Sequence, residues 1–260
     1  MAWFELNHLN TTYFSENQIM KIQQATALVT GANRGIGAAL VKALLEANAK
    51  KVYATARDIN SLAAIITLDS TRVIPLELDV TKPEMISRFP QQAPEVNLLI
   101  NNAGSLIFGD ILDVKSEAIA AQLATNFYGP LHLARAFTPI IEQNGGGAIV
   151  NLLTLLSLVS APSMSAYNIS KAAAWSMTQS LRASLADKNI AVHGVFPGAI
   201  DTDMLAGVEI QKTSPHDVAM AVVAGIEANQ EDIFPDPMST QVYTAWKQDH
   251  KAVEKQFATM

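Results

Sequence analysis

Thr30-Gly31-Ala32-Asn33-Arg34-Gly35-Ile36-Gly37 places three glycines within seven residues near the start of the chain. It follows the apolar run Ala27-Leu28-Val29 and opens a helical pattern, so it occupies the turn between a first strand and a first helix. Glycine suits that place for a physical reason. Backbone can approach a pyrophosphate closely there, the helix N-terminus offers free N–H groups and a partial positive charge, and a side chain would obstruct the contact. Three residues separate the first two glycines and one separates the last two, which differs from the commoner G-x-G-x-x-G spacing. Tight turns and close helix packing also use glycine. In its strand–turn–helix setting the stretch reads as a dinucleotide-binding turn, with Gly31, Asn33, Arg34, Gly35, Ile36 and Gly37 at the cofactor.

Outward from this turn, short apolar or β-branched runs alternate with longer helical patterns, the sign of repeated βαβ units. Strands are expected at about 25–30, 51–55, 72–78, 96–100, 147–153, 190–195 and 231–234, with the longest helices near 114–142 and 163–187. The fold class is therefore α/β: a doubly wound, seven-stranded parallel sheet with helices on both faces, Rossmann-like and a single domain. Residues 1–20 are expected to be a poorly ordered extension and 21–260 the domain. After Phe234 the chain runs Pro235-Asp236-Pro237 into a polar helix, expected to pack on the outside of the domain or on a partner subunit.

Composition narrows the function. The 260 residues carry a net charge of -6, so no overall positive field draws nucleic acid or an anionic membrane. The absence of cysteine excludes disulfides, thiolate metal sites and a cysteine nucleophile, and it fits a cytoplasmic location. Residues 1–19 lack the basic start and apolar core of a secretory signal. The most apolar stretch, Ala148 to Val159, is interrupted by Asn151, Thr154 and Ser157 and falls short of the roughly 20 residues a membrane span needs. No metal site, nucleic-acid partner or membrane partner is expected.

The end of the second strand bears on which dinucleotide is bound. An acid there accepts from a ribose 2′-hydroxyl, whereas arginine attracts a 2′-phosphate. Arg57 stands just past the strand and Arg34 lies in the turn that should face it, a pairing that favours NADP(H) over NAD(H). The competing view makes Asp58 the ribose-binding acid. Asp58 also opens the helical stretch Asp58-Ile59-Asn60-Ser61-Leu62, and capping that helix is the preferred role. Both arginines have solvated surface positions as their plain alternative.

Tyr167 and Lys171 are four apart on the expected helix 163–187, so the phenol and the ammonium can address one site. A phenol has a pKa of about 10, and nearby positive charge lowers it by favouring phenolate. A core tyrosine with a snorkelling lysine is the ordinary reading of such a pair taken alone. At Tyr167-Asn168-Ile169-Ser170-Lys171, however, the chain resembles the short-chain dehydrogenase/reductases over residues 22–235, with several motifs in the family's order. These are the glycine-rich turn, Asp79-Val80 after the third strand, Asn101-Asn102-Ala103-Gly104 ending the fourth, Asn126, Tyr167, Lys171 and Pro197-Gly198.

The resemblance implies an NADP(H)-dependent oxidoreductase of carbonyl reductase or alcohol dehydrogenase type. It makes Tyr167 the proton donor to the substrate oxygen, has Lys171 also hydrogen-bond the nicotinamide ribose, and gives Asn126 the support of a water-linked proton path. Asp79 and Val80 are expected at the adenine, Asn102, Ala103 and Gly104 along the cofactor, and Pro197, Gly198, Ile200 and Thr202 over the nicotinamide. The family usually places serine thirteen residues before the tyrosine, and this chain has Thr154 there. Threonine keeps the hydroxyl but adds a methyl that stiffens the rotamer and narrows the site. Ser157 is the alternative hydroxyl.

Ligands of open parallel sheets sit beyond the carboxyl ends of the strands. Leu106, Ile107, Phe108, Leu155, Leu156, Met164, Met204 and Leu205 occupy the loops there, so a hydrophobic ketone, aldehyde or alcohol is the expected substrate. The short segment 203–214 implies an open site. By resemblance a homodimer or homotetramer is expected, through the long helices. Two alternatives stand beside this reading. One is another chemistry on the same scaffold, such as epimerisation or dehydration, which the fold alone does not exclude. The other is a non-catalytic dinucleotide-sensing or interaction protein.

Overall fold

The computed structural model describes residues 20–259. Its strands are β1 (Thr26–Thr30), β2 (Lys51–Ala56), β3 (Val73–Glu77), β4 (Leu98–Asn101), β5 (Gly147–Leu152), β6 (Ile190–Val195) and β7 (Asp232–Ile233). They form one sheet in the order β3-β2-β1-β4-β5-β6-β7, and every neighbouring pair is parallel. Pro75 lies within β3, and β3 is an edge strand, where a missing N–H costs no ladder bond.

The helices are α1 (Gly35–Glu46), α2 (Ala63–Ile66), α3 (Pro83–Arg88), α4 (Ser116–Leu123), α5 (Gly129–Gln143), α6 (Ser165–Leu185), α7 (Pro215–Glu227), α8 (Pro237–Gln248) and α9 (His250–Phe257). Asp58 caps the short helical turn Ile59–Leu62, its side chain accepting from the Asn60 amide, as the capping reading expects. The expected helix 114–142 is continuous but changes pitch. A π-helical turn, Ala124–Tyr128, joins α4 to α5, and Asn126 sits inside it.

Alternation along the strands sends side chains to two cores. Ala27 and Val29 of β1 join Leu40 and Leu44 of α1 and Val218 and Val222 of α7 on one face. Leu28 turns to the other, with Leu133, Phe137 and Ile141 of α5, Ile86 of α3 and Leu185 of α6. The extension expected at 1–20 lies outside the described residues except for Met20, which is buried against the first core.

The C-terminal helices pack on the outside of the domain. Phe234 stacks between Phe196 and Tyr243 with ring centroids 5.0 and 3.9 Å away. Val253 and Phe257 of α9 bury themselves with Val159, against Leu156, Val242 and Trp246. This apolar contact backs the loop that follows β5, which carries Thr154.

Phe137 is fully buried and meets Phe89 edge-on, with centroids 6.5 Å apart. Phe137→Ala is expected to cost about 3–5 kcal/mol and to lower Tm by roughly 6–20 °C, measured by calorimetry.

Candidate active site

β1 and β4 are neighbours, yet their outgoing connections diverge to opposite ends of the sheet, which opens a crevice beyond their carboxyl ends. The glycine-rich turn forms one wall. Gly31 and Gly35 take left-handed φ angles of 63° and 53°. A Cβ on Gly37 would lie 2.1 Å from the Gly31 carbonyl oxygen, so only glycine lets α1 start this close to the turn. Arg34 is the N-cap residue of α1 and makes no side-chain capping bond, so the first-turn amides keep their capacity for an anion.

A threonine hydroxyl welds this turn to the opposite wall. Thr30 Oγ1 accepts from the amides of Asn102 and Ala103, at 3.0 and 2.9 Å. Asn102 Nδ2 in turn donates to the carbonyls of Thr30 and Gly31, at 2.8 and 3.1 Å. The backbone of 102–104 is thereby laid along the crevice. Thr30 went unselected as a site residue, although its place directly before Gly31 was a usable signal.

Past β3, burial of Asp79 works to raise its carboxyl pKa, but the Thr81 hydroxyl and amide and the Arg57 charge outweigh it, and the pKa is lowered. Arg57 is exposed beside this carboxylate. Val80 is buried and packs against Gly129. Arg34 does not lean on Arg57. Its Nη1 lies 2.8 Å from Oδ2 of Asp203, in the segment after β6.

Four side chains named from the sequence converge deeper in the crevice. The Thr154 hydroxyl donates to the Pro197 carbonyl at 3.3 Å, accepts from the Leu156 amide at 3.3 Å, and stands near enough to the Tyr167 phenol to act on its pKa. Ser157 braces the loop instead, since its Oγ accepts from the Thr154 amide and completes a capping box. Lys171 is 5% exposed, donates to the Leu152 carbonyl at 2.6 Å, and places Nζ 5.8 Å from the Tyr167 ring centroid. A Cβ on Gly104 would stand 3.4 Å from Asn126 Oδ1 and 3.8 Å from Lys171 Nζ, so 102–104 passes over both.

The Asn126 side chain is saturated. Its Nδ2 donates to the Ser105 carbonyl and to Ser170 Oγ, both at 2.9 Å, and its Oδ1 accepts from the Ser105 amide at 2.9 Å. Gln122, fully buried one turn before, contacts both Asn126 and Ser105. Gln122 and Ser170 escaped the sequence reading because their partners lie on other elements.

One electrostatic expectation is reversed. Lysine was expected to lower the phenol pKa. Instead burial pushes Tyr167 up to about 12, with the Thr154 hydroxyl pulling the other way, and burial takes Lys171 down to about 8.

Some expected contacts face elsewhere. The Gly198 amide donates to Asp236 Oδ2 at 2.9 Å, so Gly198 packs on the start of α8 rather than offering that amide to a cofactor. Pro197 contributes its carbonyl to Thr154 and to the Leu155 amide. Ile200 is buried and bridges Thr213, whose backbone bonds go to Ala199 and Asp201, leaving Ile200's own amide on the opposite edge. Thr202 abuts Gly35.

Among the apolar residues, Leu156 turns away from the crevice to pack with Val159, Val253 and Phe257, because its short 3₁₀ turn presents it to the C-terminal helices. Leu155 is buried, while Leu106, Met164 and Leu205 are half-buried and Phe108 and Met204 exposed. The bridge between Gly109 and Met164 brings the loop after β4 beside the start of α6. Among the described residues, no group of three or more His, Cys, Asp and Glu is placed to hold a metal, and no helix is long and apolar enough to cross a membrane.

A glycine-lined crevice at the switch point of a parallel sheet, with a hydroxyl, a phenol and an ammonium at its base, defines a Rossmann-type protein. The family described as short chain dehydrogenase matches residues 25–213. An uncharacterized oxidoreductase of Staphylococcus aureus is 30% identical over 206 residues, covering 76% of this chain and 88% of the relative. A short chain dehydrogenase from Burkholderia cenocepacia, solved in complex with NADP, is 38% identical with a TM-score of 0.86, covering 92% of this chain and 99% of that one. A short chain dehydrogenase/reductase from Burkholderia phymatum, solved with NAD, shares the fold at 24% identity and a TM-score of 0.82, over 91% and 96%. The chain belongs to the short-chain dehydrogenase family of oxidoreductases, which bind a nicotinamide dinucleotide and act on small molecules.

Since the Thr154 hydroxyl favours the phenolate, Thr154→Val is expected to raise the Tyr167 pKa further and Thr154→Ser to keep it. NMR titration of ring-labelled tyrosine checks this, and an unchanged or lower value in the valine variant contradicts it.

Proposed function

We propose that this chain is an NADP(H)-dependent reductase of carbonyl compounds, moving a hydride between the cofactor and a hydrophobic ketone or aldehyde, or the corresponding alcohol. The observation that carries it is the Thr154–Tyr167–Lys171 cluster at the base of the glycine-lined crevice.

The residues present fit a dinucleotide. The uncapped N-terminus of α1 suits the pyrophosphate, 102–104 lines the path, Asp79 and Val80 stand towards the adenine end, and Lys171 has donor capacity beyond its one bond to Leu152. Arg34 and Arg57 supply positive charge for a 2′-phosphate. The Burkholderia cenocepacia relative, described as bound to NADP, supports that choice. When bound, the nicotinamide supplies the hydride.

The chain's own part is to hold the substrate oxygen and move a proton. Thr154 and Tyr167 present two hydroxyls to one oxygen. With its pKa near 12, Tyr167 is protonated at neutral pH and is set to donate as negative charge grows on that oxygen. Lys171, with a pKa near 8, holds positive charge beside the phenol, passes its proton to the phenolate once Tyr167 has donated, and as a neutral amine takes a proton back from solvent. The Asn126 carbonyl, on the π turn beside the site, suits a water that links Lys171 to solvent. Half-buried Leu106, Met164 and Leu205 and exposed Phe108 and Met204 give the crevice apolar lips, which favours a hydrophobic substrate. Exposed Tyr128 and Ile169 on the long helices support self-association.

Tyr167→Phe is expected to retain cofactor binding while losing about 10²–10⁴-fold in turnover with a ketone panel. Wild-type turnover in that variant removes Tyr167 from the mechanism. Arg57→Asp is expected to weaken NADPH more than NADH in fluorescence titrations, and equal losses place the 2′-phosphate elsewhere.

A further inference from the structure

Arg34, whose charge suits a 2′-phosphate, already has a partner. Its Nη1 is 2.8 Å from Oδ2 of Asp203, with both side chains well exposed at 67% and 73%. Asp203 is held at the crevice by its neighbours. Thr202 Cγ2 lies 3.1 Å from where a Cβ on Gly35 would be, which seats this segment on the glycine-rich turn. Behind it, Lys212 Nζ donates to the Leu205 carbonyl at 2.8 Å, and the Asp201 amide donates to the Thr213 carbonyl at 3.0 Å. The carboxylate therefore stands on the rim where a 2′-phosphate would seek Arg34.

We propose that Asp203 sets the discrimination between NADPH and NADH by competing with the 2′-phosphate for the Arg34 guanidinium. The inference rests on the 2′-phosphate reading given under the proposed function. A cofactor carrying that phosphate must break or share the Arg34–Asp203 pair, and it brings negative charge towards a carboxylate. A 2′-hydroxyl makes neither demand. Asp203 thus weakens NADPH selectively, and the wild-type preference is smaller than two arginines alone would give. Because the pair is exposed, its effect is modest and screened by salt.

The test is titration of NADPH and of NADH into wild type, Asp203→Asn, Arg34→Ala and the double variant, followed by cofactor fluorescence at low and high salt. Asp203→Asn is expected to lower the Kd for NADPH by about three- to tenfold while moving NADH by less than about twofold. In the Arg34→Ala background the same substitution is expected to move NADPH by less than about twofold, and Asp203→Glu is expected to restore wild-type discrimination. If Arg34→Ala weakens NADPH selectively but Asp203→Asn leaves NADPH unchanged or weaker, the competition is refuted and the 2′-phosphate reading survives. If Arg34→Ala affects both cofactors equally, Arg34 does not read the phosphate and the competition falls, while the 2′-phosphate reading then stands or falls with Arg57→Asp.

Discussion

Lys171 carries an ammonium into a place that water barely reaches, and the arrangement of the site follows from how that charge is tolerated. Burial alone lowers its pKa to about 8, so the group keeps its proton at neutral pH only weakly. It is steadied by the Leu152 carbonyl at the end of β5 and faces the Tyr167 ring, one turn away on α6. Burying an unpaired charge is costly, and helix, strand end and phenol must therefore stay in register for the ion to survive there.

That register is built from bonds between elements far apart in the chain. Asn126 ties the π turn before α5 to the Ser105 loop and, through Ser170, to α6. Thr30 ties the glycine-rich turn to the strand-end amides of 102 and 103. Asp236 fixes Gly198, while the neighbouring Pro197 carbonyl receives the Thr154 hydroxyl. The C-terminal helices press on the same loop through Leu156 and Val159. Each contact removes freedom from a group that the proposed proton transfer needs held in place.

The fold was largely legible because alternating strands and a glycine-rich turn are local signals. The seven strands appear at the expected places, and the sheet order has its switch point beside the glycine turn. What escaped was non-local. The π turn arises inside an apparently regular helical pattern, and the expected run 114–142 did not reveal it. Leu156 was placed at the substrate because it follows Thr154, but a 3₁₀ turn rotates it towards α9. Asp203 lies 169 positions from Arg34, and no spacing rule joins them. The sign of the Tyr167 shift was missed because two residues four apart reveal their charge but not how far the site is removed from water.

A crystal structure of the chain with NADPH and a ketone tests the proposed acid–base centre most directly. The expected result is a nicotinamide ring stacked in the crevice, the ketone oxygen within hydrogen-bond distance of both the Tyr167 and Thr154 hydroxyls, and Lys171 Nζ against the ribose. A cofactor seated away from the glycine-rich turn, or a ketone oxygen beyond reach of Tyr167, would contradict it.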